Sequence, residues 1–235
     1  MDNSREKDAR TRQGLTVEQA IVGRQSIRAF LPTPVPRDIL SEVLRIAARA
    51  PSGSNIQPWH VWVATGKARH ELADEMARLF DAGAEERRTY HYYPQHWMEP
   101  YLSRRRACGW GLYQTMGIGR DDKAAMHAQR RQNYTMFGAP AALFFAIDKR
   151  LEVGSWLDYG MFIQSIMIAA RDFGLETIAQ AALANYPDVV KRRLAIPDHM
   201  TLICGMSIGY PDTAAKVNSF RTEREDVNAF TTWVD

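Results

Sequence analysis

The chain is poor in the residues and runs that would make several classes of protein. It has only two cysteines, Cys108 and Cys204, far apart and in no Cys-x-x-Cys pair, so neither a disulfide framework nor a zinc site is indicated. Its longest apolar run, residues 161–170, is interrupted by Gln164 and Ser165 and is too short to cross a bilayer. The amino-terminal stretch is charged through Arg12 and has no apolar core, unlike a secretory signal, so a cytoplasmic location and no membrane partner are expected. A net charge of +3 over 235 residues does not call for a nucleic-acid partner. Catalytic signatures are missing as well. Gly117-Ile118-Gly119 lacks the third glycine of a dinucleotide fingerprint, no P-loop is present, and His70-Glu71 has no second histidine at metalloprotease spacing. There is no Gly-x-Ser-x-Gly elbow. With no nucleophile, metal or carboxylate pair in view, any chemistry must come from a bound cofactor.

What is present is an ordinary globular composition, 46% apolar and 24% charged, at a length that suits one α/β domain or two small ones and is ample for a buried core. Residues 1–14 are strongly charged and are expected to be a disordered tail, leaving 15–235 as one domain. Thr16 reads as the cap of a short helix ending at Gly23. Arg24 to Leu31 alternates polar and apolar residues and should be extended, placing Arg24, Ser26 and Arg28 on one face. An apolar stripe predicts a helix over 36–50, followed by a strand at 59–65 and a helix from Gly66 to about Phe80. Residues 81–135 form a long excursion. Its aromatics, Tyr90, Tyr92, Tyr93, Trp97 and Tyr101, read either as an irregular surface packed on the body or as a lid over a flat ligand. Helices are expected near 107–116 and 121–136. A buried strand at 141–147 leads to a long apolar helix at 155–173, a small-residue strand and turn at 175–182, a short helix at 187–194 and a last central strand at 201–210. The final stretch, about 212–235, is an apolar arm with no period of its own. Helices and strands mix without a βαβ rhythm, which argues for α+β.

The chain is organised around Pro51-Ser52-Gly53-Ser54-Asn55-Ile56-Gln57-Pro58-Trp59, a loop that two prolines and a glycine hold out of helix. Arg24-Gln25-Ser26-Ile27-Arg28 stands one helix upstream, and Ile203-Cys204-Gly205-Met206-Ser207-Ile208-Gly209-Tyr210-Pro211 lies near the carboxyl end. In this order and spacing the three stretches resemble the FMN-dependent nitroreductase family over about 15–235, and within it the nitrobenzoate-type and dinitroaniline-type branch.

The resemblance implies a central mixed, mainly antiparallel sheet flanked by helices, in an intertwined homodimer whose carboxyl arm adds an edge strand to the partner's sheet. It implies that Arg24 and Ser26 hold the phosphate and ribityl chain of FMN and that Arg28 lies by the flavin pyrimidine edge. Pro51, Ser52, Gly53 and Asn55 would reach the flavin of the other subunit. A backbone N–H of Gln180-Ala181-Ala182 would meet flavin N5, where many relatives carry a glycine pair. Arg221 or Arg224 would hold the phosphate. Each arginine taken singly could equally be a solvated surface charge. The activity implied is ping-pong reduction of nitroaromatics to hydroxylamines by NADPH or NADH, with NADPH preferred for the arginines near the lid. The alternative is another flavin reaction on the same scaffold: reduction of quinones or activated alkenes, dehalogenation or flavin cleavage.

Overall fold

A four-stranded sheet forms the centre of the molecule, described here from a computed structural model over residues 12–235. Its strands are β1 (His60–Thr65), β2 (Ala141–Asp148), β3 (Glu176–Gln180) and β4 (Met200–Gly209), in the order β1-β2-β4-β3 with every pairing antiparallel. One parallel bridge, Ser26 to Thr177, is added at the outer edge of β3, where Ile27 N donates to Thr177 O at 3.2 Å. The expected α+β class and mainly antiparallel mixed sheet are both observed.

Among the described residues, seven α-helices surround the sheet: α1 (Val17–Gly23), α2 (Arg37–Ala47), α3 (Gly66–Asp81), α4 (Tyr101–Thr115), α5 (Lys123–Arg131), α6 (Val153–Asp172) and α7 (Pro187–Leu194). The run Ala-Ala-Leu-Phe-Phe-Ala-Ile of β2 is apolar without alternation because both of its faces are covered. One face packs on α2 and α6 through Val43, Phe145, Phe162, Ile166 and Met206. The other packs on α3 and α7 through Leu72, Met76, Phe144, Leu183 and Val190. Tyr159 ties α6 to two strands: its buried hydroxyl lies 2.6 Å from His60 O and 3.2 Å from Ala146 O, and it accepts from His60 N at 3.1 Å. Such a hydroxyl is bonded because an unpaired one in this core would be costly.

Thr16 caps α1 as expected, in a full capping box with Gln19. The excursion at 81–135 differs from the expectation. Instead of starting near Ala107, α4 starts at Tyr101 behind Pro100, so Arg104, Arg105 and Arg106 lie inside a helix rather than in an irregular stretch. Proline is well suited to that entry, and arginine is a good helix former once nucleation has occurred. The disordered tail expected at 1–14 lies for its first eleven residues outside the described chain. Arg12 to Gly14 are tied down: Gln13 N donates to Asp172 O at 2.6 Å and Arg12 meets Glu42 at 3.0 Å.

Candidate functional site

Arg24 follows α1 directly and leaves it in an extended conformation, φ −60° and ψ 131°. The next residues run along the edge of β3, held by the Ser26–Thr177 bridge on one side and by Asn218 on the other. Asn218 is buried and fully used. It accepts from Arg28 N at 2.7 Å through Oδ1, donates to Ala29 O and Asp212 O through Nδ2, and its carbonyl accepts from Gln25 Nε2 at 3.0 Å. This residue staples the 24–29 segment to the carboxyl-terminal arm.

Between that segment and the arm lies a cavity of about 790 Å³. Arg24, Ser26 and Arg28 line one wall and Arg221 and Arg224 the other, so five of the expected binding residues, distant in sequence, come together. Arg221 donates to Val22 O and Gly23 O at 3.4 and 3.2 Å, and Arg224 to Thr222 Oγ1 at 2.7 Å. Arg24 has no hydrogen-bond partner among the described residues. Burial, and then the neighbouring Arg224, lower the pKa of Arg24 from the usual guanidinium value; burial likewise lowers that of Arg28. Nearby Glu176 is pushed above the usual carboxylate range by burial, which outweighs its bond to Arg171. Cations held in this way favour an anion of more than one charge.

Three buried polar atoms at or beside the cavity have no hydrogen-bond partner among the described residues: Gln25 Oε1, Glu176 Oε2 and Thr177 Oγ1. Gln25 lines the cavity, but its Oε1 is enclosed and does not open onto it. A molecule with a phosphate at one end would suit the arginines.

Other expected residues are elsewhere in the protomer. Pro51, Ser52, Gly53 and Asn55 do not line the cavity; the loop is mostly exposed. Its shape is fixed by Gly53 N donating to Asp158 Oδ2 at 3.1 Å and Gln57 N donating to Ser52 Oγ at 3.0 Å. Ser54, Asn55 and Gln57 all have positive φ, 48°, 58° and 48°, a conformation that side-chain-bearing residues hold only when the surroundings impose it. Gln180, Ala181 and Ala182 do not line the cavity either. Gln180 is buried, accepting from Ser207 Oγ at 2.5 Å and donating to Asn133 O at 2.9 Å, while Ala179 faces the cavity one residue earlier.

The sequence did not point to Gln25, Cys108, Gln164, Met167 or Phe220, all of which line the cavity. Gln25 stands inside the Arg-x-Ser-x-Arg stretch at an unspecified position. Gly111 was the available signal for Phe220: a Cβ there would lie 2.8 Å from the Phe220 ring, so α4 and the arm meet only because the position is glycine. None of the aromatics of the 81–106 stretch lines the cavity. Tyr90 bonds Ile203 O and stacks edge-on with Trp156, and Trp97 lies under Arg105 at 4.8 Å, so these rings pack on the body and on one another. A second cavity, about 710 Å³ between α2 and the start of α3, holds none of the expected residues.

The Nitroreductase family profile matches residues 21–210, from the end of α1 through the last strand. The chain belongs to the nitroreductase family. It is 38% identical over 215 residues to a 4-nitrobenzoate reductase of Nocardioides sp. (strain LMS-CY), covering 90% of this chain and 87% of that protein. It is also 38% identical over 226 residues to a 4-nitrobenzoate reductase of Pseudomonas putida, covering 91% and 93%. Among solved structures it is similar to an FMN and NADPH-dependent nitroreductase, NfnB, from Sphigopyxis sp. strain HMH. The TM-score is 0.90 at 35% identity, with 94% of this chain and all of that chain (100%) covered. Within the nitroreductase frame, the cavity sits where the family match begins, at the Arg24–Arg28 segment.

Proposed function

We propose that this nitroreductase binds FMN in the cavity between residues 24–28 and the arm, and uses NADPH or NADH to reduce nitroaromatic carboxylates or related nitroarenes. The single observation that carries the reading is the arginine-lined cavity. The fit is chemical. Arg24, Arg221 and Arg224 suit a phosphate, and Arg28 suits the electron-rich edge of an isoalloxazine ring. The 4-nitrobenzoate reductases and the FMN and NADPH-dependent NfnB support the substrate class and the cofactor pair, and the M. smegmatis NfnB solved with NADPH, at 31% identity and TM-score 0.88, favours NADPH as donor.

Bound FMN supplies two-electron transfer between a reduced nicotinamide and the nitro group. This chain's residues hold the phosphate, orient the ring and keep water from it; no side chain need act as nucleophile. Arg28 would hold the pyrimidine edge of the flavin, where a guanidinium would stabilise negative charge.

The site is completed by a second copy. The exposed Pro51–Asn55 loop reaches the facing protomer's cofactor, and the exposed arm residues Phe230, Trp233 and Val234 lie over its surface. With one cysteine exposed, one buried and no disulfide, the dimer is suited to the reducing cytoplasm. Among the described residues no helix is long and apolar enough to cross a membrane.

The test is an anaerobic spectrum of the purified protein. A flavin band that bleaches with NADPH and returns with 4-nitrobenzoate is the expected result. A band that bleaches and does not return would overturn the substrate class. No band after reconstitution with FMN would overturn the cofactor.

A further inference from the structure

The α1 helix is seven residues long and buries only Ala20, so its own packing cannot fix the position of the residue that follows it. Its last turn is instead held by Arg171, near the end of α6. Arg171 Nη1 donates to Gln19 O at 2.5 Å and to Ala20 O at 3.0 Å, both carbonyls near the negative end of the helix. Arg171 Nε donates to Glu176 Oε1 at 2.7 Å, and the two side chains are 16% and 14% exposed. The guanidinium fork points at Gly23: a Cβ there would come within 2.6 Å of Nη2 and 2.8 Å of Cζ. Arg24 is the next residue. Glu176 opens β3 immediately before Thr177, the partner of Ser26. The segment carrying Arg24 is therefore fixed upstream by Arg171 and downstream by the β3 edge, and both anchors converge on Glu176.

We propose that the Arg171–Glu176 pair is a positioning clamp that presets the phosphate-binding end of the cavity, Glu176 orienting Arg171, and Arg171 fixing the turn from which Arg24 emerges. Neither clamp residue lines the cavity, so they act through Arg24. The inference rests on the reading that this end of the cavity takes the FMN phosphate. A half-buried pair of this kind is well suited to placing a backbone, since an ion pair adds little net stability yet loses much when one partner is removed.

Position and field can be separated because they predict opposite signs. If the two charges acted on the phosphate only through space, Arg171→Gln would weaken FMN binding and Glu176→Gln would tighten it. The clamp requires that both weaken it. Gly23→Ala, which changes no charge but displaces the Arg171 guanidinium, must weaken it too. The experiment titrates each full-length variant, stripped of flavin, with FMN and separately with riboflavin, and records the melting temperature of each. The expected result is a rise of roughly tenfold in the FMN Kd for all three, the scale of one hydrogen bond to a charged group. The riboflavin Kd stays within about twofold, since riboflavin has no phosphate to misplace. Tighter FMN binding by Glu176→Gln would overturn the clamp in favour of a field effect. Equal loss of FMN and riboflavin with a large fall in melting temperature would reduce the pair to a structural role. Arg24→Ala is the control: an unchanged FMN Kd in that variant would overturn the phosphate site itself, and the clamp with it.

Discussion

Arg28 is the cavity residue whose surroundings are most fully determined. Its backbone N–H is spent on Asn218 Oδ1, its Nη1 donates to Ser26 O at 3.2 Å, and no carboxylate among the described residues pairs with it. A desolvated guanidinium without a counter-ion is costly in the free protein and becomes favourable when an electron-rich ligand edge arrives. Arg28→Ala is therefore expected to raise the FMN Kd about 10- to 100-fold, the range for a hydrogen bond to a charged group. The flavin-free variant should melt no lower than the parent. Fluorescence titration and calorimetry check the two halves, and an unchanged Kd would remove Arg28 from the site. The Arg-x-Ser-x-Arg stretch was legible because alternation in an extended segment fixes which way side chains point. Asn218 was not. Its role is made by contacts nearly two hundred positions away, which no local pattern encodes.

At the scale of elements, the sequence marked the strands and the core helices well, because burial on both faces removes alternation from β2 and a single buried face gives α2 its apolar stripe of Ile39, Leu40, Val43 and Ala47. It misplaced the start of α4, a helix with no buried residue and therefore no stripe to read. Glycines in strands were the less obvious signal. Gly205 stands in the middle of β4, where a Cβ would lie 2.5 Å from Leu183 Cδ1, 2.9 Å from Leu183 Cβ and 3.2 Å from Leu143 O. Two of those atoms belong to rigid parts of the core, so the position cannot relax by a rotamer change alone. Gly205→Ala should destabilise the fold by about 1–3 kcal/mol, the cost of overpacking a well-filled interior. A denaturant titration with an unchanged midpoint would mean that the turn at Ala181–Ala184 is softer than its packing implies.

At the scale of the whole molecule, two surfaces are unfinished within one protomer. Phe230, Trp233 and Val234 are 72%, 76% and 89% exposed at the end of the arm, and Val153, Leu157 and Met161 form an uncovered apolar strip along α6. Exposure of this kind marks an interface. The Pro51–Asn55 loop stands on the same helix, through Asp158, yet does not line its own protomer's cavity. The family resemblance, and not the local residue pattern, is what pointed the loop at a neighbour's flavin, since chain order carries no record of which copy a contact belongs to. The shared-site reading has a sharp consequence. A Cβ at Gly53 meets only Asp158 Oδ2, at 3.8 Å, so Gly53→Trp should fold normally and obstruct the facing site, while Arg24→Ala damages the site of its own protomer. Each homodimer should be nearly inactive. In a mixed dimer, one site carries both lesions and the other carries neither. Random reassociation of equal amounts makes half of the dimers mixed, so the mixture should regain about a quarter of parental activity per site, as two-fold symmetry requires. If each protomer held a complete site, mixing would restore nothing beyond the average of the two variants, and the loop would have to be assigned another role.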